Sequence, residues 1–189
     1  MKKIILALLV ASFVAAPLFA ATTTTKSSGS PRGPQNLLNM VGIGFTAAPS
    51  NPDQGDVSEV SVRWWVSKTV GVEAGLGLGV GDGPGVFLFK GKTVIALKNY
   101  QTVNIYFAGT AMIQNMSTPA PQNPLGGGGG ASQSTTMFAV GPGFGFEWFV
   151  INNLSLSAEA GLRLTVGKGY TRFDMYSGWF PEIGVRFYF

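Results

Sequence analysis

From Leu37 to the C-terminus the chain is written in short segments whose apolar residues recur at every second position. The last segment is the most regular: Phe189, Phe187, Val185, Ile183, Pro181 and Trp179 alternate with Tyr188, Arg186, Gly184, Glu182, Phe180 and Gly178. Successive side chains of a β-strand point to opposite faces, so this pattern predicts a strand whose two faces meet different surroundings. The same phase runs through Leu154 to Val166, opposed by Ser155, Ser157, Glu159, Gly161, Arg163 and Thr165, and through Phe138 to Val150, opposed by Ala139, Gly141, Gly143, Gly145 and Glu147. Val103 to Gln114, Val70 to Val80 and Val60 to Ser67 follow it, and Leu37 to Phe45 does so more weakly. Val86 to Lys98 places apolar residues on both faces before Lys90 and Lys92 fall into phase, and is taken as the fourth strand. Eight strands result, an even number that brings both termini to one side.

The connections alternate in length. Ser67 to Thr69, Asn99 to Thr102 and Asn152 to Asn153 are short, whereas Ala47 to Asp56, Met116 to Ser134 and Lys168 to Ser177 are long and polar or glycine-rich; Asp82 to Gly85 is a clipped exception. Short turns on one side and long loops on the other predict an all-β, eight-stranded antiparallel up-and-down barrel crossing a membrane, with the turns periplasmic. Charge decides which face meets lipid. Only 12% of the residues are charged, and the polar face carries mostly Gly, Ser, Thr and Ala, whereas a water-facing surface calls for about 25 to 35% charge. The apolar face is therefore assigned to lipid and the glycine-rich face to a narrow lumen, with ring closure satisfying the backbone. A soluble, secreted lipocalin-like binding barrel with the faces inverted is the competing reading.

Composition bounds the rest. Lys2 and Lys3 before the apolar stretch Ile4 to Phe13, then small residues around Ala20, read as a secretory signal peptide over 1–20. Residues 21–35, polar and proline-containing, read as a disordered leader, and 36–189 as the barrel domain. Removing Lys2 and Lys3 lowers the formal charge from +4 to +2, and the remaining bases are scattered, which argues against nucleic acid as a partner. With no cysteine and no histidine, disulfides, thiolate sites and imidazole metal sites are excluded.

The terminal IGVRFYF, apolar at alternate positions back from Phe189, resembles the C-terminal signature of bacterial outer-membrane proteins. With GFGFEWFVINNLSLSAEAGLRL it resembles the small eight-stranded barrels typified by OmpX and the transmembrane domain of OmpA. That resemblance implies an outer-membrane location and neighbouring lipid and lipopolysaccharide. It also implies handling by periplasmic chaperones and the barrel-assembly machinery, with Ile183, Val185, Phe187 and Phe189 as the assembly signal. A monomer is expected. Trp64, Trp65, Trp148, Phe149, Phe187, Tyr188 and Phe189 all fall at one end of their strands. They predict an interfacial girdle, with Trp64, Trp148, Phe187 and Phe189 as its outward members.

Five acids (Glu59, Glu73, Glu147, Glu159, Glu182) and five bases (Arg63, Lys90, Lys92, Arg163, Arg186) lie on the polar face. Buried charges must be paired, so a salt-bridged network plugging the lumen is expected; a narrow pore or small-molecule transporter whose pairs exchange partners is the alternative. Glu147 and Glu159 could serve as general acid and base, but arginines are at hand to hold both ionised and no nucleophile lies beside a base. Lipid A palmitoyltransferases and deacylases built on such barrels use a histidine, which this sequence lacks. No catalytic, cofactor or metal site is expected. Glycines around Gly75 to Gly85 and Gly141 to Gly145 match no phosphate-binding motif. Gly126 to Gly130 reads as a flexible loop, and Asp53, Asp56 and Asp174 as solvated loop acids able at most to bridge lipopolysaccharide through divalent cations.

Overall fold

The computed structural model describes residues 37–48, 57–79, 85–100, 102–118, 133–175 and 181–189. The signal peptide over 1–20, the leader over 21–35, Asp53, Asp56 and the glycine run at 126–130 lie outside the described residues. The strands are β1 (Val41–Ala48), β2 (Val57–Trp65), β3 (Val70–Gly79), β4 (Gly85–Asn99), β5 (Val103–Thr118), β6 (Gln133–Ile151), β7 (Leu154–Gly167), β8 (Tyr170–Met175) and β9 (Glu182–Tyr188).

Consecutive strands from β1 to β7 pair antiparallel, and β9 pairs with both β7 and β1, which closes the ring. β8 and β9 are two halves of one stave. β8 lies against one half of β7, from Leu162↔Met175 to Gly167↔Tyr170, and β9 against the other, from Leu154↔Phe187 to Glu159↔Glu182. The wall is therefore an eight-stranded barrel whose eighth stave includes β8 and β9. β1 to β7 and β9 have ladder partners on both sides, and β8 is paired with β7 among the described residues. A local exception lies between β6 and β7, where the pairing passes from Val140↔Leu164 to Gly143↔Gly161. Pro142 has no N–H to donate there.

The register settles the ambiguous fourth strand. Glu73↔Lys92, Gly75↔Lys90 and Gly79↔Val86 put Val86, Leu88, Lys90, Lys92, Val94 and Ala96 on the lumenal side with the inward residues of β3. Phe87, Phe89 and Leu97 point outward and are exposed. Its apolar residues on both faces are explained by position: Val86 and Leu88 fill one end of the lumen, and Val94 and Ala96 the other.

Three expectations are corrected. The first strand begins at Val41, because Leu37 to Met40 turns: Asn39 adopts a left-handed backbone (φ 65), and its N–H bonds to the Trp65 carbonyl at 2.8 Å. The long loop expected over Lys168 to Ser177 is a two-residue turn, Lys168 and Gly169, with Gly169 at φ 72, after which β8 restores the period of two. β5 and β6 also run further than expected, to Thr118 and from Gln133, which shortens the loop placed over Met116 to Ser134.

Candidate functional site

The side chains that face the lumen lie in tiers. At the end bearing the short turns, Leu37, Trp65, Tyr106, Phe149 and Tyr188 cluster with Val94, Ala96 and Ala108 into an apolar floor. Space for the rings comes from glycines directly across the ladder: Tyr188 faces Gly42, Trp65 faces Gly71 and Tyr106 faces Gly145. A methyl group at Gly42 would stand 2.6 Å from the Tyr188 ring, and one at Gly145 2.6 Å from that of Tyr106. Aromatic cover of a cross-strand glycine packs a curved sheet without a void, and it accounts for these three glycines of the lumenal face.

Directly inside the floor sits a tier of two arginines and two glutamates. Arg63 donates from Nε to Glu73 at 2.7 Å and from Nη1 to Glu147 at 3.0 Å. Arg186 donates from Nη2 to Glu73 at 2.9 Å and to Ser61 at 3.1 Å, and stands 3.6 Å from Glu147. Glu147, fully buried, also accepts from Ser155 at 2.6 Å and from the Tyr188 hydroxyl at 2.8 Å. Tyr188 in turn accepts from the Trp65 indole at 3.3 Å, so floor and charged tier are hydrogen-bonded together. The Arg63 guanidinium lies 5.3 Å from the Tyr106 ring centre and 5.9 Å from that of Trp65, within cation–π range.

The next tier shares two ammonium groups among three carboxylates. Lys90 pairs with Glu59 at 2.6 Å and Glu182 at 2.8 Å; Lys92 pairs with Glu159 at 2.9 Å and, at 3.9 Å, with Glu182. Tyr106 donates to Glu159 at 2.9 Å. Glu159 and Glu182 are direct cross-strand partners, an unfavourable pair of like charges that the two lysines offset. Nearer the loop end, Arg163 pairs with Asp174 at 3.1 Å, and Arg172 with the same carboxylate at 2.9 Å.

All ten charged residues expected in the lumen are thus buried there, and Arg163 is joined to Asp174. Asp174 corrects its reading as a solvated loop acid: it lies in β8 and holds two arginines, which leaves it unsuited to a bridging cation. Sequence reasoning missed Asp174, Arg172, Tyr106, Ser61, Ser155 and Leu37. The alternation of Arg172 and Asp174 with Phe173 and Met175 marked β8, had the segment not been read as a loop.

The aromatic residues divide into two sets. Trp64, Trp148, Phe187 and Phe189 are exposed on the outer wall, Phe189 at 71%, with Phe187 and Phe189 edge to face at 5.0 Å. Trp65, Phe149 and Tyr188, also assigned to the girdle, point inward instead. Each is the chain neighbour of an outward aromatic, and the period of two sends adjacent side chains to opposite faces. Ile183 and Val185 share the outer face with Phe187 and Phe189.

Every lumenal base is thus matched to a carboxylate. No group of three or more His, Cys, Asp or Glu among the described residues is arranged to hold a metal ion. Ser155 donates to the Glu147 carboxylate, and both residues are fully buried.

The architecture has solved counterparts. The N-terminal β-barrel domain of Pseudomonas aeruginosa OprF matches with a TM-score of 0.55 at 18% identity, over 82% of this chain and 100% of that one. The fold is that of the small outer-membrane β-barrels. Neisserial surface protein A also matches, with a TM-score of 0.51 at 14% identity, over 79% of this chain and 95% of that one. No protein-family profile matches the chain, and no curated protein does.

Proposed function

We propose that this chain is a monomeric, non-conducting barrel of the bacterial outer membrane. In this reading it acts as a structural or surface-interaction protein, without catalysis or cofactor. The observation that carries the reading is the tiered lumen, in which an aromatic floor and two ion-paired layers occupy the space a solute would need. The outer wall supports the location. On β6 the outward residues from Phe138 to Val150 include Phe144, Phe146 and Trp148 and no charge. Twelve residue steps at about 3.3 Å and a tilt of about 40° span roughly 30 Å, enough for an apolar band of about 25 Å. Trp64, Trp148, Phe187 and Phe189 would form the girdle at the turn end. In the same reading Ile183, Val185, Phe187 and Phe189 form the face offered to the assembly machinery after passage with periplasmic chaperones. Lipid and lipopolysaccharide would surround the wall, and in this reading nucleic acid is not a partner.

Two measurements test the proposal. Fractionation should place the protein in the outer membrane, with a folded form that migrates differently from the boiled form on a gel. Purified protein in a planar bilayer should give no steady unitary conductance. A regular conductance would replace the plugged barrel with a narrow pore, and solubility without detergent would replace both with a secreted binding barrel.

A further inference from the structure

In a strand that alternates lumen and wall, an extra residue changes the face taken by those that follow, and β4 contains one. Its pairing with β5 runs unbroken from Gly85↔Ser117 to Ala96↔Tyr106 and resumes at Lys98↔Ile105, so Leu97 is the extra residue of a bulge. Bulges re-aim side chains. In the unbroken phase Lys98 would follow Lys90, Lys92, Val94 and Ala96 into the lumen, at the level of the apolar floor. Instead it shares the outer face with its partner Ile105, whose neighbours Asn104 and Tyr106 are the lumenal ones. Both Leu97 and Lys98 are exposed.

Among the described residues, no other charged side chain within a strand lies on the outer face: the glutamates, the arginines, Lys90, Lys92 and Asp174 all share the lumenal phase. Lys98 also has a companion. The Thr69 carbonyl accepts the Ala96 N–H at 2.7 Å, which brings the exposed Lys68 of the β2–β3 turn to the same edge of the wall. Tyr100, 52% exposed, places its ring centre 5.0 Å from the Lys98 ammonium, within cation–π range. Trp148, an outward aromatic, pairs with Val103 two residues from Ile105. The C-terminal carboxylate of Phe189 follows β9, on the opposite side of the ring from β4, so neither lysine is matched to an acid among the described residues.

We propose that Lys98 and Lys68 form a docking site for the headgroup phosphate of an anionic phospholipid, in the leaflet that meets the turn end of the barrel. Charge and place select this occupant. Two cations on an otherwise uncharged wall, beside aromatic residues of the kind that sit at headgroup level, suit a group that is both anionic and anchored at that depth. Lysine stems lie along apolar surface while their ammonium groups reach the polar layer, and Leu97, Val103 and Ile105 offer that surface to an acyl chain. The site rests on the outer-membrane reading, which fractionation decides separately.

The full chain, folded in micelles of a zwitterionic detergent, is titrated with short-chain phosphatidylglycerol and, separately, with phosphatidylcholine of the same chains. NMR follows the amide signals of Lys98, Tyr100 and Ile105. Phosphatidylglycerol should give saturable shifts there, with an affinity at least about tenfold above that of phosphatidylcholine. About 1 kcal/mol per basic residue near an anionic surface corresponds to about fivefold, so Lys98→Gln should lower the preference by about that factor, and Lys98→Gln combined with Lys68→Gln should abolish it. Lys98→Arg should keep it, as should Lys168→Gln in the β7–β8 turn at the other end of the wall. The folded gel band confirms each barrel; should a variant lack it, the parent decides by salt, which must weaken a preference of this origin. No preference in the parent, one indifferent to salt, or one that survives the double change would overturn the site. Equal shifts from glycerol phosphate, which has no acyl chains, would overturn the lipid as its occupant. A protein found in the outer membrane that shows no preference loses the site alone, whereas one soluble without detergent loses the membrane reading too.

Discussion

Glu147→Ala is the most informative single perturbation of the lumen. The carboxylate is fully buried and engages Arg63 at 3.0 Å, Ser155 at 2.6 Å and Tyr188 at 2.8 Å, with Arg186 at 3.6 Å. Its removal leaves two guanidinium groups facing Glu73, with all three side chains buried away from bulk solvent. Breaking a buried pair by deleting one partner costs about 3 to 5 kcal/mol, because the remaining charge is uncompensated. That is a large share of a typical total of about 5 to 15 kcal/mol. The double variant Arg63→Met with Glu147→Leu removes one charge of each sign and leaves Arg186 paired with Glu73 at 2.9 Å. Because exchanging a whole buried pair for apolar groups is often neutral, the double variant should be at least about 2 kcal/mol more stable than the single one. Urea unfolding in vesicles, followed by gel mobility and tryptophan fluorescence, measures both, and the cycle isolates the coupling. A single variant that loses less than about 1 kcal/mol, or a double variant as unstable as the two single changes combined, would refute the argument that electrostatics between buried groups dominate here.

Other positions test the packing and the wall. Gly145→Ala would set a methyl group 2.6 Å from the Tyr106 ring and 2.8 Å from the Ala158 carbonyl, and should cost about 1 to 3 kcal/mol. Gly91→Ala meets nothing closer than 4.0 Å and should stay within about 0.5 kcal/mol of the parent in the same unfolding assay. Phe144→Arg, near the middle of the outer face of β6, should cost about 2 to 4 kcal/mol if that face meets hydrocarbon; a loss below about 0.5 kcal/mol would point to a water-facing wall. Asp174→Asn removes the shared partner of Arg163 and Arg172. Amide exchange at Thr171 and Phe173 should then accelerate while Ile183 and Val185, in β9, keep their protection; equal acceleration in both would make β8 and β9 one cooperative unit.

The wall was legible in the sequence because its signal is local. In a strand with one face in an apolar medium and the other in a polar lumen, each residue reports its own side, and β2, β3, β6, β7 and β9 could be phased from the text alone. β4 could not, since Val86, Leu88, Val94 and Ala96 face inward for packing reasons that depend on what lies across the barrel. The lumenal charges were legible as a set but not as pairs. Arg63 meets Glu147, and Lys90 meets Glu182, across more than 80 residues of chain, and nothing local encodes such a meeting. Asp174 was lost for a different reason. Its neighbours Gly169, Tyr170 and Thr171 resemble loop composition, yet a single positive φ at Gly169 suffices to turn the chain and let the strand resume. The paired aromatics Trp64 and Trp65, Trp148 and Phe149, and Tyr188 and Phe189 were read by their shared height, when their adjacency already required that one of each pair point inward.

That division of the aromatic pairs explains how the last strand is held in register. A slip of one residue in β9 would carry Glu182, Arg186 and Tyr188 to the outer face and bring Ile183, Val185 and Phe187 into the lumen. The outer face alone opposes such a slip only through the exposure of three polar groups. The lumen opposes it far more strongly. Arg186 must reach Glu73 on β3 and Ser61 on β2, and Tyr188 must reach Glu147 on β6 and the Trp65 indole on β2. Those contacts radiate from the closing stave to strands on both sides of the ring, so they can all form only when β9 lies between β1 and β7 in the observed pairing. A lumen lined with paired charges thus does what an apolar core would do less well: it makes closure of the barrel specific as well as favourable.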